Sequence, residues 1–117
     1  MARTVLIVDD HAGFRAGARA LLEADGFEVV GEAADGAAAL DAADRLRPQV
    51  VVLDIRLPDL DGFAVAERLA AGARPPAVVF VSSRGVEGFR RRLAASGARG
   101  FIAKAELTGE CLSALLD

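Results

Sequence analysis

Five short apolar runs set the limits on what this chain can fold into. They fall at residues 5–8, 27–33, 50–53, 77–81 and 99–103, and each is followed by a stretch with helical patterning. Strand followed by helix, repeated with short connections, gives a parallel sheet with right-handed crossovers and helices on both faces. Most of the runs are continuously apolar, as expected for strands covered on both sides. The clearest, Val50-Val51-Val52-Leu53, leads straight into Asp54. Pro58 then bars further strand, because it has no backbone N–H to give a ladder. The first run, Val5-Leu6-Ile7-Val8, likewise delivers Asp9 and Asp10.

Helices are expected over residues 12–24, 36–46, 62–71, 86–95 and 107–116. In the first, Phe14, Ala18, Leu21 and Leu22 fall on one stripe. Arg15, Arg19 and Glu23 lie on the wet side, and Gly26 supplies a left-handed cap. Val29 and Val30 are the expected core of the second strand, while Glu28 and Glu32 place it at a sheet edge. Asp35 and Asp61 each precede a helix in N-cap position. Leu40, Ala43 and Leu46 are the expected packing residues of the second helix, which Pro48 stops. Phe63, Val65, Ala66 and Leu69 serve the third, and Phe89 and Leu93 the fourth, which Gly97 closes. Leu107, Cys111, Leu112 and Leu115 serve the last, with Cys111 read as a small apolar residue.

A chain of 117 residues that is 53% hydrophobic is expected to be one folded domain, not a disordered segment. Its net charge of −3 argues against non-specific nucleic-acid binding, which needs a basic surface. The single cysteine forms no internal disulfide and fits a reducing, cytoplasmic setting. No run approaches membrane-span length, and the N-terminus lacks the apolar region of a signal peptide. Thirteen arginines accompany one lysine, Lys104. Genomic base composition explains the arginines and leaves the one retained lysine needing a reason.

The residues capable of chemistry all follow strands: Asp9 and Asp10 the first, Asp54 the third, Ser82 and Ser83 the fourth, Lys104 the fifth. Open parallel sheets bind ligands beyond their carboxyl ends, where the strand order reverses. In a 2-1-3-4-5 order that point lies between strands one and three, the two bearing carboxylates. Three crowded carboxylates raise one another's pKa, and a hard cation such as Mg²⁺ relieves that repulsion with oxygen ligands. A carboxylate beside a metal can act as nucleophile toward a phosphoryl group. A lysine ammonium and a serine hydroxyl would then serve the phosphoryl oxygens.

Val8-Asp9-Asp10-His11, Asp54 with Leu57-Pro58-Asp59-Leu60-Asp61-Gly62, Val81-Ser82-Ser83 and Gly97-Ala98-Arg99-Gly100-Phe101-Ile102-Ala103-Lys104 stand in an order and spacing that cover the whole chain. Together they resemble the receiver domain of two-component response regulators, of the NarL/FixJ type. The resemblance implies a flavodoxin-like (βα)5 three-layer sandwich spanning residues 1–117, with no output domain in this chain. It implies that Asp54 accepts a phosphoryl group from a sensor histidine kinase. Asp10 and Asp54 would hold Mg²⁺ directly, Asp9 largely through water, and the backbone carbonyl of Arg56 would complete the protein ligands. Lys104, the Ser82 hydroxyl and the Ser83 backbone N–H would serve the phosphoryl group, and Phe101 would be the aromatic switch. Helix four, strand five and helix five would present the change to a partner, an output domain or a second copy in a homodimer. Receivers of this type usually precede a DNA-binding domain, so transcription regulation is implied without nucleic-acid binding by this piece. No membrane contact is expected.

Three features depart from the pattern. Ala105 stands where many receivers have a proline in a cis bond, Arg56 and Arg84 flank the site mouth, and the last helix is short. Two other functions compete. A pseudo-receiver would act by protein contacts without phosphate, which the acidic cluster, Ser82 and Lys104 argue against. A phosphatase of the haloacid-dehalogenase kind needs a second acid two residues after its nucleophile, and Arg56 occupies that position.

Overall fold

A computed structural model describes residues 2–84 and 88–117. The elements are β1 (Thr4–Val8), α1 (Ala12–Ala24), β2 (Glu28–Ala33), α2 (Gly36–Leu46), β3 (Val50–Asp54), α3 (Gly62–Ala70), β4 (Ala77–Ser82), α4 (Arg90–Ala95), β5 (Gly100–Ala103) and α5 (Gly109–Leu116), with a 3-10 turn over Lys104–Glu106. The five strands form one parallel sheet in the order β2-β1-β3-β4-β5. This is the expected flavodoxin-like sandwich, with β2 at the edge where Glu28 and Glu32 placed it.

Strand alternation splits the core in two. Leu6, Val8, Val51, Leu53, Val78 and Phe80 face α2 and α3. Val5, Ile7, Val50, Val52, Val79 and Val81 face α1 and α5. The three central strands are therefore apolar on both faces, which is why they read as unbroken runs. Burial this complete makes the sheet a rigid platform for whatever its ends carry.

Several local expectations shift. Leu21 is exposed, because the α1 stripe centres on Ala18 and Leu22 and leaves Leu21 at its margin. Val30 is only half-buried, since the β1–β2 register slips by one residue there, pairing Val5 with Val29 but Leu6 with Gly31. In α2 the buried residues are Gly36, Ala39 and Ala42, with Leu40, Ala43 and Leu46 packed beside them. The helix expected over 86–95 starts at Arg90 among the described residues, and residues 85–87 lie outside them. The last helix starts at Gly109 rather than at residue 107, because Thr108 caps it through a side-chain bond from the Cys111 N–H. Cys111 faces solvent instead of packing. Gly26 does adopt the left-handed backbone (φ 95°) that ends α1.

Candidate functional site

The carboxyl ends of β1, β3 and β5 converge. Asp9 follows β1 and is fully buried, Asp54 ends β3 and is 5% exposed, and Ser82 ends β4 and is 6% exposed. Register brings them together: Val8 pairs with Leu53, Asp54 with Val81, and Ser82 with Ala103, the residue before Lys104. The Lys104 ammonium reaches across the sheet end to lie 3.2 Å from Asp54 Oδ2 and 2.5 Å from Asp9 Oδ2. Its nitrogen also sits 4.8 Å from the centre of the Phe14 ring. The one lysine of the chain thus shares its single positive charge between two buried acids.

The electrostatics follow from burial and from this contact. Burial pushes the Asp54 carboxyl above its ordinary value, and neighbouring Asp9 adds to that, outweighing the Arg56 N–H and Lys104. Burial alone would lower Lys104, but Asp9 and Asp54 more than compensate and hold the ammonium charged. Asp9 Oδ1 accepts the His11 backbone N–H at 2.8 Å. Asp9 Oδ2 pairs with Lys104 by distance yet receives no aligned hydrogen bond among the described residues. A buried carboxylate oxygen without a hydrogen bond is an atom available to a cation.

Asp9, Asp10, His11 and Asp54 each offer a ligand atom within 4.8 Å of the others. The three carboxylates, with Asp9 Oδ2 buried without an aligned hydrogen bond among their oxygens, fit a hard divalent ion. His11 is the N-cap of α1 without a side-chain cap bond. Its Nδ1 lies 3.2 Å from Asp9 and 3.0 Å from Asp10.

The loop after Asp54 is held on all sides. The backbone of Arg56 pairs antiparallel with that of Asp61 across the loop, and the Arg56 N–H donates to Asp54 Oδ1 at 3.2 Å. The Gly62 N–H donates to the Ile55 carbonyl at 2.6 Å. A Cβ at Gly62 would run into the Asp54 carbonyl oxygen, so close approach, not backbone conformation, demands glycine there. Asp61 caps α3 through the Ala64 N–H, as the sequence implied. At β4, the Ser82 Oγ accepts the Arg84 N–H at 3.1 Å, while Ser83 and Arg84 are exposed. Phe101 is half-buried and packs against the same core layer as Phe80, on the face that Ser82 shares by strand alternation. After Lys104 the chain enters its 3-10 turn, and no peptide bond among the described residues is cis.

Two residues at this site escaped sequence reasoning. Asp59 accepts the Gly36 and Ala37 N–H groups at 2.7 and 2.9 Å, tying the loop to the start of α2, and those donors hold its carboxyl below the usual range. Arg15 donates to the Asp9 carbonyl at 2.7 Å and to Glu32 at 3.0 Å. Asp59 stands more than twenty positions from its donors, so no local pattern could reveal it. Arg15 lies six residues past Asp9, where only the turn of α1 brings it back.

Residues 5–116 match the response regulator receiver domain family, and the chain belongs to that family. A Bordetella pertussis protein named as the virulence-factor transcription regulator BvgA is 41% identical over 114 residues, covering 97% of this chain and 54% of the relative. The signal receiver domain of NarL from Mycobacterium tuberculosis superposes with a TM-score of 0.86 at 37% identity, covering 99% of this chain and 94% of that one. A Borrelia burgdorferi CheX-CheY-BeF3-Mg complex matches at a TM-score of 0.85 and 26% identity, over 97% of this chain and 86% of that one. The chain spans about half the length of the transcription regulators it matches. No helix among the described residues is long and apolar enough to cross a membrane.

Proposed function

We propose that this receiver domain, as one phosphoacceptor unit over residues 1–117, takes a phosphoryl group on Asp54 from a sensor histidine kinase and uses it to switch a partner-facing surface. The observation that carries the reading is Lys104 bridging two buried acids, Asp9 and Asp54, at the ends of three different strands. Asp9, Asp10, Asp54 and the Arg56 carbonyl would hold Mg²⁺, which when bound neutralises charge on the transferring phosphoryl group. An Asp54 carboxylate oxygen attacks phosphorus, forming an O–P bond as the P–N bond to the kinase imidazole breaks. The imidazole leaves neutral, taking a proton from solvent. Lys104 already sits at Asp54 Oδ2 and pairs with the phosphoryl oxygens that appear there. Ser82 releases the Arg84 N–H to donate its hydroxyl, the Ser83 backbone N–H donates beside it, and Phe101 turns toward the space Ser82 leaves.

The switch is a population shift: it requires contacts made only in the phosphorylated state. Its readout surface runs along α4, β5 and α5, toward a homodimer partner or an output domain that regulates transcription in the cytoplasm. The domain does not bind nucleic acid itself, turn over a substrate or contact a membrane. The relatives' names as transcription regulators and the fluoride-and-magnesium complex of a structural neighbour support this reading.

Intact-protein mass after incubation with Mg²⁺ and acetyl phosphate tests it. The expected result is one phosphoryl group gained by the wild type, none by Asp54→Asn, and none after Mg²⁺ is removed. A folded protein that gains no mass and binds no beryllofluoride would overturn the proposal in favour of a phosphate-independent interaction module.

A further inference from the structure

A second feature lies at the opposite end of the sheet from the acidic cluster. The C-terminal ends of α2 and α3 diverge there around an open cleft of about 260 Å³. Leu40, Leu69 and Pro48 supply apolar lining, and Arg47, Arg68 and Arg74 stand around it. Asp44 is the one acid of the lining, so three cations face one anion in a chain whose net charge is −3. The neighbouring Arg45 is paired with Asp41. Among the described residues no salt bridge engages Arg47, Arg68 or Arg74.

Arg47 adds an independent observation. It is the C-cap of α2 and stands at φ 48°, ψ 58°, the only non-glycine residue with positive φ among the described residues. Left-handed backbone at a helix C-terminus is ordinarily given to glycine or asparagine, because a Cβ crowds the following carbonyl. An arginine stands where glycine would relieve strain, and it lines a cleft that two more arginines without a salt bridge share. Strain retained at a position that presents a functional group is a mark of a binding site.

We infer that this cleft binds a small amphipathic anion, with an apolar body seated on Leu40 and Leu69 and a phosphate-, sulfonate- or carboxylate-type head held by Arg47, Arg68 and Arg74. The guanidinium forks suit such heads, which they engage in paired hydrogen bonds. The volume suits a single ring system or a short acyl chain. Both flanking helices start against the loop after Asp54: Asp59 accepts the first N–H groups of α2, and Asp61 caps α3. An occupant would therefore press on the far ends of two helices anchored at the acidic site, although binding does not depend on phosphorylation at Asp54.

Naphthalene-2-sulfonate is a suitable probe, since it carries ring and anion and cannot donate a phosphoryl group. In a ¹H–¹⁵N correlation titration of the whole chain, it should shift the amides of residues 40–47 and 68–74 along one saturable curve. Sulfate, with no apolar body, and 2-naphthalenemethanol, with no charge, should each bind at least about tenfold more weakly. Arg68→Gln and Arg74→Gln, both on exposed positions, should each weaken the probe about tenfold while the fold is unchanged. Arg47→Gly should weaken it equally and raise the melting temperature by a few degrees, because glycine removes the strain. Binding unchanged in all three variants would overturn the inference. So would equal binding of the neutral alcohol (an apolar dent only), equal binding of sulfate (an adventitious ion only), or shifts centred elsewhere.

Discussion

Helices α3 and α4 flank the same strand, β4, yet they are attached in opposite ways. α3 spans nine residues and buries Gly62, Phe63, Val65, Ala66 and Leu69. α4 spans six and has no fully buried residue. Its attachment is peripheral: Arg92 lies 4.4 Å above the Phe63 ring and bonds to Asp61 at 2.9 Å, and Phe89, just before it, sits 5.8 Å from Phe63. The difference teaches where this fold can move. The helix that begins after the Asp54 loop is fixed by the core, whereas the next one rests on its surface through the half-buried Phe89 and Leu93 and the Arg92 clip. Elements with little buried apolar area open at low cost, which suits the readout role proposed for α4.

The largest test of that contrast is Phe63→Ala. Phe63 touches Phe80 at 4.8 Å between ring centres and also carries the clip to α4, so its loss strikes both regions. Denaturant unfolding should show a loss of about 3–5 kcal/mol. An effect under about 1 kcal/mol would mean that α3 is no better anchored than α4. Arg92→Ala sharpens the contrast, because it cuts only the clip. Cation–π contact and exposed ion pair together are worth about 1 kcal/mol, so global stability should barely change. Amide exchange in α4 should nevertheless speed up well beyond any change in α3, and equal acceleration in both would refute the clipped arrangement.

The same contrast explains what could be read from the sequence. The strands, the acids at their ends and the caps at Asp35 and Asp61 are local patterns, decided within a few residues. The packing residues of α3 were legible because its apolar stripe faces a full core. In α4 the packing of Phe89 and Leu93 was legible, but its clip was not, because Arg92 reaches back to Asp61, thirty-one positions away. Asp59 was hidden for the same reason, its donors lying on a helix that precedes β3. The exposure of Leu21 turned on the exact facing of one stripe, which periodicity fixes only to within a residue. At the site, spacing placed Asp9, Asp54, Ser82 and Lys104 at one sheet end, but could not show Lys104 shared between Asp9 and Asp54.

A third attachment scheme allows the smallest and most specific test. α1 is tied to edge strand β2 by two cations on one carboxylate: Arg19 and Arg15 donate to Glu32 at 2.8 and 3.0 Å. The Arg19 bond, with the help of Arg15, holds the Glu32 carboxyl below its ordinary value against a partial burial penalty. A depressed folded-state pKa means that the folded chain binds this proton less readily than the unfolded one. The stabilisation is therefore present above the unfolded value of 4.5 and fades as pH falls through the lower folded value. Glu32→Gln should cost about 0.5 kcal/mol at pH 7, the scale of a partly exposed ion pair. The gap between variant and wild type should close as pH drops below 4.5 toward the folded value, measured by denaturant midpoints at each pH. A gap that stayed constant with pH would show that Glu32 acts by packing alone. α1 would then be held, like α3, by its buried stripe, and α4 would stand alone in depending on charge.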